Sequence, residues 1–353
     1  MRKLHVSASN EYDVMIGPGL LRSVRNVISE VTSARKLMIV SDDNVYPLYG
    51  DDLAAELSSC GKEVYSHILP HGEASKNTDN YLALLESLAE NAFSRKDCLI
   101  SLGGGVTGDL GGFAAATYMR GIDLIQIPTS LLAAVDASVG GKTAVNLKHG
   151  KNLAGCFYQP EAVITDTDLL RSLPDTEYAN GCAEVIKCGM IADQTLLELI
   201  MTEQVSDNFE DVICRCVDIK RGFVEADEYD NGSRMLLNFG HTFGHAFEKL
   251  SGFTLPHGFA VSAGMACVTR AAVKYGLCGK EVLETLIHVL DLYRLPSSVS
   301  FGADEVASAA LADKKAYGAG IRLIVPVALG KCRILKLPSS ELIAWIKAGE
   351  TYD

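Results

Sequence analysis

The sequence predicts an α/β domain followed by a mainly α-helical domain, and three observations support this fold class. The chain has 353 residues, more than twice the roughly 150 residues of a typical single domain, so two domains are expected. Short β-rich runs alternate with amphipathic helical patterns up to Leu173, and helical periodicity prevails from Thr176 to about Tyr293. We therefore expect one domain over residues 1–173 and a second over residues 174–353.

Four short apolar runs predict buried strands in the first domain. Helical patterns separate them, such as Tyr81–Ala92, which places Leu82, Leu85 and Leu88 on one face. Strands that alternate with helices favour a doubly wound, Rossmann-like parallel sheet. The opening stretch Leu4–Ile16 alternates like an antiparallel flap. The four predicted strands are Lys36–Asp42, Cys98–Leu102, Leu124–Pro128 and Ala162–Asp166.

The second domain is predicted to be helical, with short breaks at Asp230–Gly232 and Leu255–Gly258. Near its end, Leu323–Val327 and Arg333–Leu337 resemble the two strands of a hairpin. Ligands are expected between the two domains.

Composition excludes several classes of protein. The chain carries 32 Lys and Arg against 44 Asp and Glu, a formal net charge of −12, which argues against broad binding to nucleic acid or to an anionic membrane. A small anion is not excluded, because a local group of cations can bind it whatever the total charge. The 10 cysteines are scattered without CxxC pairs, and neither a signal peptide nor a membrane span is evident. We expect a cytoplasmic protein.

A glycine cluster indicates phosphate binding. The predicted strand ending at Leu102 is followed by Gly103–Asp109, with the sequence GGGVTGD, and then by a helical pattern. This order presents backbone N–H groups and a helix dipole to a phosphate, although a tight turn without a ligand fits the same pattern. Asp42 ends an earlier strand, where a carboxylate can accept hydrogen bonds from ribose. Glu73 and Lys76 follow the next strand and could equally belong to a solvated loop.

The segment NFGHTFGHAFE, residues 238–248, is the most informative in the second half. On one helix, Asn238, His241 and His245 would project from the same face. In a helix, Gly240 and Gly244 would each lower stability by about 1 kcal/mol relative to alanine. Their presence despite this cost suggests close packing against another element.

Two further residues extend this pattern towards a metal site. His257 follows in a loop that enters another helix, and Glu184 lies on a predicted helix with Lys187 one turn later. Two histidines and a glutamate form a three-ligand site of the catalytic zinc type. Buried core histidines are the alternative, and the residues alone leave open which of His241 and His245 would bind the metal.

Cationic and polar side chains recur beside these motifs. Each could be an ordinary surface residue, or together they could neutralise a multiply charged substrate, with arginine suited to bidentate phosphate or carboxylate contacts. They are Arg120, Asp136, Lys142, Lys151, Asn152, Lys187, Lys220, Arg234, Lys314 and Lys315.

These motifs resemble those of the 3-dehydroquinate synthase family, within the wider fold shared with glycerol dehydrogenases. The matching segments occur in the family's order and spread over most of the chain. They are Gly103–Asp109, Ile127–Ala133, Asp136–Asn146, Lys151–Leu153, Ala183–Lys187, Leu237–Ala246, His257–Gly258 and Asp313–Lys315.

The resemblance implies a role for each candidate residue. It implies that Zn²⁺, with Co²⁺ as a possible substitute, is held by Glu184, His241 and His257. NAD would be held by Asp42, Glu73, Lys76, Gly104, Gly105, Val106, Asp109, Thr129, Ser130, Lys142 and Lys151. The catalytic residues would be Asp136, Lys142, Asn152, Lys187 and His245. The substrate residues would be Arg120, Lys151, Lys220, Arg234, Asn238, Lys314 and Lys315.

The implied reaction converts 3-deoxy-D-arabino-heptulosonate 7-phosphate to 3-dehydroquinate and phosphate, a step of the shikimate pathway. The implied substrate is a sugar phosphate that carries a carboxylate. Arg120 matches an arginine that reaches a neighbouring subunit's substrate, which implies a homodimer. Asp230 stands where the family often has glutamate, which puts one supporting contact in doubt. The alternative is another sugar-phosphate cyclase, making 2-deoxy-scyllo-inosose or an epi-valiolone.

Overall fold

The computed structural model describes residues 1–314 and 320–350. It divides into two compact units. The first comprises Met1–Leu173 with Lys220–Tyr229, and the second comprises Pro174–Ile219 with Asp230–Asp353. The expected domain limit at residue 173 stays a prediction, and residues 220–229 pack with the first unit.

The first unit contains a seven-stranded sheet, a two-stranded hairpin and four α-helices. The sheet has the order β1-β2-β9-β6-β5-β3-β4. Its strands are β1 Arg2–Val6, β2 Tyr12–Gly17, β3 Lys36–Asp42, β4 Glu63–Leu69, β5 Cys98–Gly103, β6 Asp123–Pro128 and β9 Ala162–Asp166; β7 Lys142–Leu147 and β8 Gly150–Phe157 form the hairpin. The helices are α1 Val24–Val31, α2 Tyr46–Ser58, α3 Thr78–Glu90 and α4 Gly105–Thr117.

The sheet is buried on both faces, which explains its continuous apolar strands. In β3, Leu37 and Ile39 enter one hydrophobic core, while Met38 and Val40 enter a second one. Successive side chains of a strand point to opposite faces, so these two cores cover the two sides of the sheet. A parallel sheet with both faces covered is the doubly wound arrangement that the sequence predicts.

The opening strands are antiparallel, as expected, and they belong to the sheet. β1 pairs with β2 in an antiparallel register, and β2 pairs in parallel with β9. The stretch expected to form a flap is therefore one edge of the sheet.

The chain reverses its direction of travel across the sheet between β3 and β5. From β3 it moves outward to β4, returns to the other side of β3 at β5, and continues through β6 to β9. Ligands of open α/β sheets bind at such a switch point, beyond the carboxyl ends of the strands. Asp42 and the glycine cluster follow the two strands that flank it.

The second unit is mainly helical, as the sequence predicts, and contains a C-terminal hairpin. The helices are α5 Asp175–Ala192, α6 Gln194–Thr202, α7 Phe209–Ala226, α8 His241–Leu250, α9 His257–Lys274, α10 Lys280–Leu292, α11 Ala303–Lys314 and α12 Leu342–Gly349. The hairpin strands are β10 Ile321–Ala328 and β11 Lys331–Leu337. Helix α7 starts in this unit, and its residues from Lys220 onward belong to the first. Within residues 1–314 and 320–350, every helix is too short or too polar to cross a bilayer.

Candidate functional site

The glycine cluster places the start of α4 at the switch point. The helix begins at Gly105, and Thr129 N–H donates to the Gly103 carbonyl at 3.0 Å. A Cβ built on Gly104 would lie 3.5 Å from Ser130 Oγ, so the turn lies directly beside the residues that follow β6. The first amides of a helix have no acceptor within it and form a ready site for a phosphate.

Asp42 lies beside this turn at the end of β3. One carboxylate oxygen accepts hydrogen bonds from the backbone N–H groups of Asn44 and Val45, at 2.9 Å each. The other oxygen lies 3.5 Å from Thr107 Oγ1. Asp42 thus orders its own loop at the expected edge of the sheet, and its contact with a ribose stays a prediction.

Lys76 joins two other candidate residues. Its ammonium group is buried, pairs with the carboxylate of Asp109 and donates to Asn152 Oδ1 at 2.6 Å. Burial raises the pKa of Asp109, while the charge and hydrogen bond of Lys76 oppose that rise. Asn152 adopts a left-handed backbone conformation with φ of 56°, which is rare for residues other than glycine. The hairpin β7–β8 therefore presents Asn152 to Lys76.

Asn146 connects this group to two more candidate residues, and the sequence reasoning gave it no role. Its Nδ2 donates to Glu73 Oε1 at 2.7 Å, and its Oδ1 accepts from Asn152 N–H at 2.9 Å. Lys151 Nζ lies 3.8 Å from the same Glu73 oxygen. Asn146 lies within the segment that resembles the family, so its position in that motif was the available signal.

Asp136 and Lys220 form a second polar group in the first unit. Asp136 lies on a π-helical turn, Ala133–Ala137, a feature often found at functional sites. The buried Lys220 donates to the Asp136 carbonyl at 2.6 Å and pairs with its carboxylate. The structure thus brings these two candidates together across 84 residues of sequence.

The end of α7 and the residues that follow it are hydrogen-bonded to the connection between β1 and β2. Ser7 N–H donates to Glu225 Oε1, and Ser9 N–H donates to Glu228 Oε2, both at 2.9 Å. Gln159 Nε2 also donates to Glu228, at 2.8 Å. These bonds fix the segment that carries Lys220.

Three candidates of the first unit remain: Val106 is half-buried in the first turn of α4, whereas Lys142 and Arg120 are exposed. Lys142 begins β7, and Arg120 precedes Gly121 at the end of a 3-10 turn. Arg120 has a φ of 71°, in the left-handed region.

The second unit brings together the three residues expected to bind a metal. Glu184 lies on α5, while His241 and His257 are the first residues of α8 and α9. Glu184 Oε1 lies 3.7 Å from His241 Nε2 and 3.6 Å from His257 Nε2. One ligand atom from each residue lies within 4.8 Å of the others. A carboxylate and two imidazoles fit a catalytic zinc site, which has three protein ligands and one open position.

Glycines at the start of α8 place His241, and they correct one expectation. Gly240 has a left-handed φ of 81°, so the helix begins at His241. Asn238 ends a separate 3-10 turn, Ser233–Asn238, and the prediction that Asn238 shares a helical face with His241 is wrong. The expected close packing is confirmed: a Cβ on Gly264 of α9 would lie 2.1 Å from the Gly240 carbonyl oxygen.

Burial and nearby charges shift the pKa values of the two candidate histidine ligands in opposite directions. Glu184 and Lys187 are both buried and form an ion pair. Burial lowers the pKa of His241 to about 3, although Glu184 opposes the change. Burial also acts to lower the pKa of His257, but hydrogen bonds and charges from Glu184 and Glu248 outweigh it and raise this pKa to about 10. The buried carboxylates thus favour positive charge on His257, whereas burial keeps the His241 imidazole neutral.

The other candidates of this unit surround the same elements. His245 is exposed, and its ring centroid lies 5.3 Å from that of His241 and 6.2 Å from that of His257. Arg234 is buried in the 3-10 turn that Asn238 ends, and this turn packs against α5. Lys314 ends α11, but its side chain, like all of Lys315, lies outside the described residues.

The fold and the candidate site indicate an enzyme with two units. One is a Rossmann-like unit, and the other is a helical unit that carries a candidate metal centre. The family models described as 3-dehydroquinate synthase N-terminal and C-terminal match residues 66–180 and 181–316. The chain belongs to the 3-dehydroquinate synthase family.

Individual relatives agree with this assignment. The chain is 40% identical over 344 residues to 3-dehydroquinate synthase of Clostridium acetobutylicum, covering 96% of this chain and 97% of the relative. It is 39% identical over 353 residues to the Streptococcus suis synthase, covering 98% and 99%.

Solved structures share the fold. A 2-epi-5-epi-valiolone synthase from Streptomyces hygroscopicus, solved with NAD⁺ and Zn²⁺, is 27% identical with a TM-score of 0.88, covering 98% of this chain and 99% of that one. An iron-containing alcohol dehydrogenase matches with a TM-score of 0.67 at 13% identity over 98% of both chains, which supports the fold alone.

Proposed function

We propose that this chain is a 3-dehydroquinate synthase that converts 3-deoxy-D-arabino-heptulosonate 7-phosphate to 3-dehydroquinate and phosphate. The observation that carries this proposal is the 40% identity to a curated synthase over nearly the whole of both chains. The cluster of Glu184, His241 and His257 supports it, because this reaction needs a metal that acidifies a hydroxyl group.

The cofactors are NAD⁺ and a divalent metal, Zn²⁺ or Co²⁺. When both are bound, NAD⁺ supplies reversible hydride transfer at C5 of the substrate, and the metal supplies a lowered pKa of the C5 hydroxyl. Glu184, His241 and His257 hold the metal, and Lys187 partly neutralises Glu184. The start of α4 binds the pyrophosphate of NAD⁺, with Thr129 and Ser130 beside it. The remaining residues assigned to this cofactor are Asp42, Glu73, Lys76, Asp109, Lys142 and Lys151.

The substrate residues bind and orient a doubly anionic molecule. Lys142 and Asn152 bind phosphate oxygens, and the phosphate serves as its own base when it leaves. Lys220, Arg234 and a lysine at 314 or 315 hold the carboxylate and hydroxyl groups. Asp136 fixes the ammonium group of Lys220, and His245 relays a proton. Their contribution is electrostatic and entropic, because they hold the reacting groups in position.

Arg120 is assigned to a substrate phosphate on a second copy of the chain, so the enzyme acts as a homodimer. Its exposure and its left-handed backbone support this assignment, because a side chain at a sharp exposed turn can extend away from its own subunit.

The ten cysteines are free thiols, which supports the cytoplasmic location expected from the sequence.

The test is product formation by purified protein loaded with Zn²⁺ and NAD⁺. We expect the heptulosonate phosphate to yield equal amounts of inorganic phosphate and dehydroquinate. A sugar phosphate of similar length without the carboxylate should react far more slowly, because it lacks the anionic group that Lys220 and Arg234 are proposed to hold. Carbocycle formation from that second compound alone would instead assign the chain to another branch of the cyclases.

A further inference from the structure

Glu248 is a buried carboxylate beside the candidate metal centre, and the proposed reaction gives it no role. It lies on α8, seven residues after His241 and three after His245, so the three share one face of the helix. Only 2% of Glu248 is exposed. Its Oε2 lies 3.3 Å from Nδ1 of His257, the first residue of α9.

The imidazole of His257 is held through both of its nitrogens. Nδ1 faces Glu248, and Nε2 lies 3.6 Å from Glu184 Oε1, on the side of the other candidate ligands. A histidine that binds a metal through one nitrogen commonly donates its other N–H to a carboxylate, which fixes the tautomer and the ring orientation. With a metal bound, Nδ1 would carry the hydrogen and Nε2 would give its lone pair to the metal.

We propose that Glu248 is a positioning residue of the metal centre, which accepts the Nδ1–H of His257 and aims Nε2 at the ion. This inference rests on the proposed function, in which His257 is a metal ligand. Glu248 also strengthens His257 as a ligand, because a negative charge behind an imidazole increases its basicity.

Glu248 could instead be a ligand itself. His245, Glu248 and His257 also form a group whose ligand atoms lie within 4.8 Å of one another. A neutral imidazole has a single lone-pair nitrogen, and in this geometry Nε2 of His257 faces the first group. A second ion would need the same imidazole to bind through both nitrogens. The arrangement therefore favours one ion and a supporting carboxylate.

The experiment measures Zn²⁺ affinity by competition with a chromophoric chelator, together with the number of ions bound. Glu248→Met keeps most of the side-chain volume but removes the acceptor, and it should weaken Zn²⁺ binding about 10- to 100-fold. Glu248→Gln keeps an acceptor and should recover part of that loss. Lys249→Met alters the exposed neighbour on the same helix and should leave the affinity unchanged. Wild-type protein should bind one ion.

Wild-type affinity in Glu248→Met would overturn the proposal, and so would two bound ions of which Glu248→Met loses one. If Glu248→Met does not fold, Glu248→Asp takes its place in the test. This variant withdraws the carboxylate from His257 by one methylene, so it should also weaken Zn²⁺ binding. His257→Ala separates this inference from the proposed function. Undiminished Zn²⁺ binding in His257→Ala would contradict the proposal that His257 is a metal ligand. If His257→Ala loses Zn²⁺ affinity but Glu248→Met does not, only the proposed role of Glu248 is contradicted.

Discussion

Asn146 joins residues assigned to the cofactor and to the substrate. Its amide group donates to Glu73 and accepts from the backbone of Asn152, and its own N–H donates to the Lys76 carbonyl at 2.8 Å. Asn152 has an unusual left-handed backbone, so a bond that orders its N–H also fixes where its side chain points. We infer that Asn146 positions Glu73 and Asn152 together.

Asn146→Ala should weaken NAD⁺ binding by about 10- to 100-fold, because a hydrogen bond to a charged group contributes about 1.5–3 kcal/mol and 1.4 kcal/mol corresponds to tenfold. A titration of the Zn²⁺-loaded protein with NAD⁺ measures this effect. Asn208→Ala removes another asparagine–glutamate bond, in the second unit, and serves as the matched control. Equal affinity in the two variants would contradict the role of Asn146.

Helices α8 and α9 place both candidate histidine ligands at their first residues, and glycines set the distance between these helices. A Cβ on Gly244 would lie 3.1 Å from Val261 Cα, and a Cβ on Gly264 would reach the Gly240 carbonyl oxygen at 2.1 Å. The second distance is far below a normal contact, so the helices could not keep their spacing. The same packing that stabilises this helix pair therefore sets the relative position of His241 and His257.

Gly264→Ala should lower the free energy of unfolding by about 1–3 kcal/mol, the usual cost of overpacking, and should weaken Zn²⁺ binding as the helices separate. Denaturant unfolding and the chelator competition measure the two effects. Gly222→Ala, at an exposed helical position with no atom within 4 Å of the added Cβ, should be neutral or stabilising by up to about 1 kcal/mol. A free energy of unfolding in Gly264→Ala equal to that of the wild type would contradict the role of Gly264 in setting the distance between α8 and α9.

The elements of this fold follow from sequence more directly than the groups that those elements bring together. β3 and β9 have the bounds that their apolar runs predict, because a fully buried parallel strand leaves a continuous hydrophobic signal. Hydrophobic periodicity could not show that a glycine breaks the helix before His241, since this depends on packing against α9. Nor could it show the contact of Lys220 with Asp136, which depends on where one end of α7 lies.

At the scale of the whole molecule, the acidic total charge and the anionic substrate are compatible. The formal net charge of −12 is a sum over 353 residues, whereas binding depends on local groups such as the buried Lys76, Lys187, Lys220 and Arg234. Three of these cations pair with a carboxylate of Asp109, Glu184 or Asp136, so they are held in position before a ligand arrives. Prepositioned charges stabilise a reacting anion without reorganising.

A 3-dehydroquinate synthase oxidises its substrate only transiently and returns the same hydride to the carbon that lost it. The most direct measurement follows the heptulosonate phosphate labelled with deuterium at C5, in the presence of NAD⁺ and Zn²⁺, by mass spectrometry of the product and by NADH absorbance. We expect dehydroquinate that retains the deuterium, one phosphate released per product and no net NADH. Loss of the label to solvent, or NADH that accumulates with turnover, would contradict this expectation.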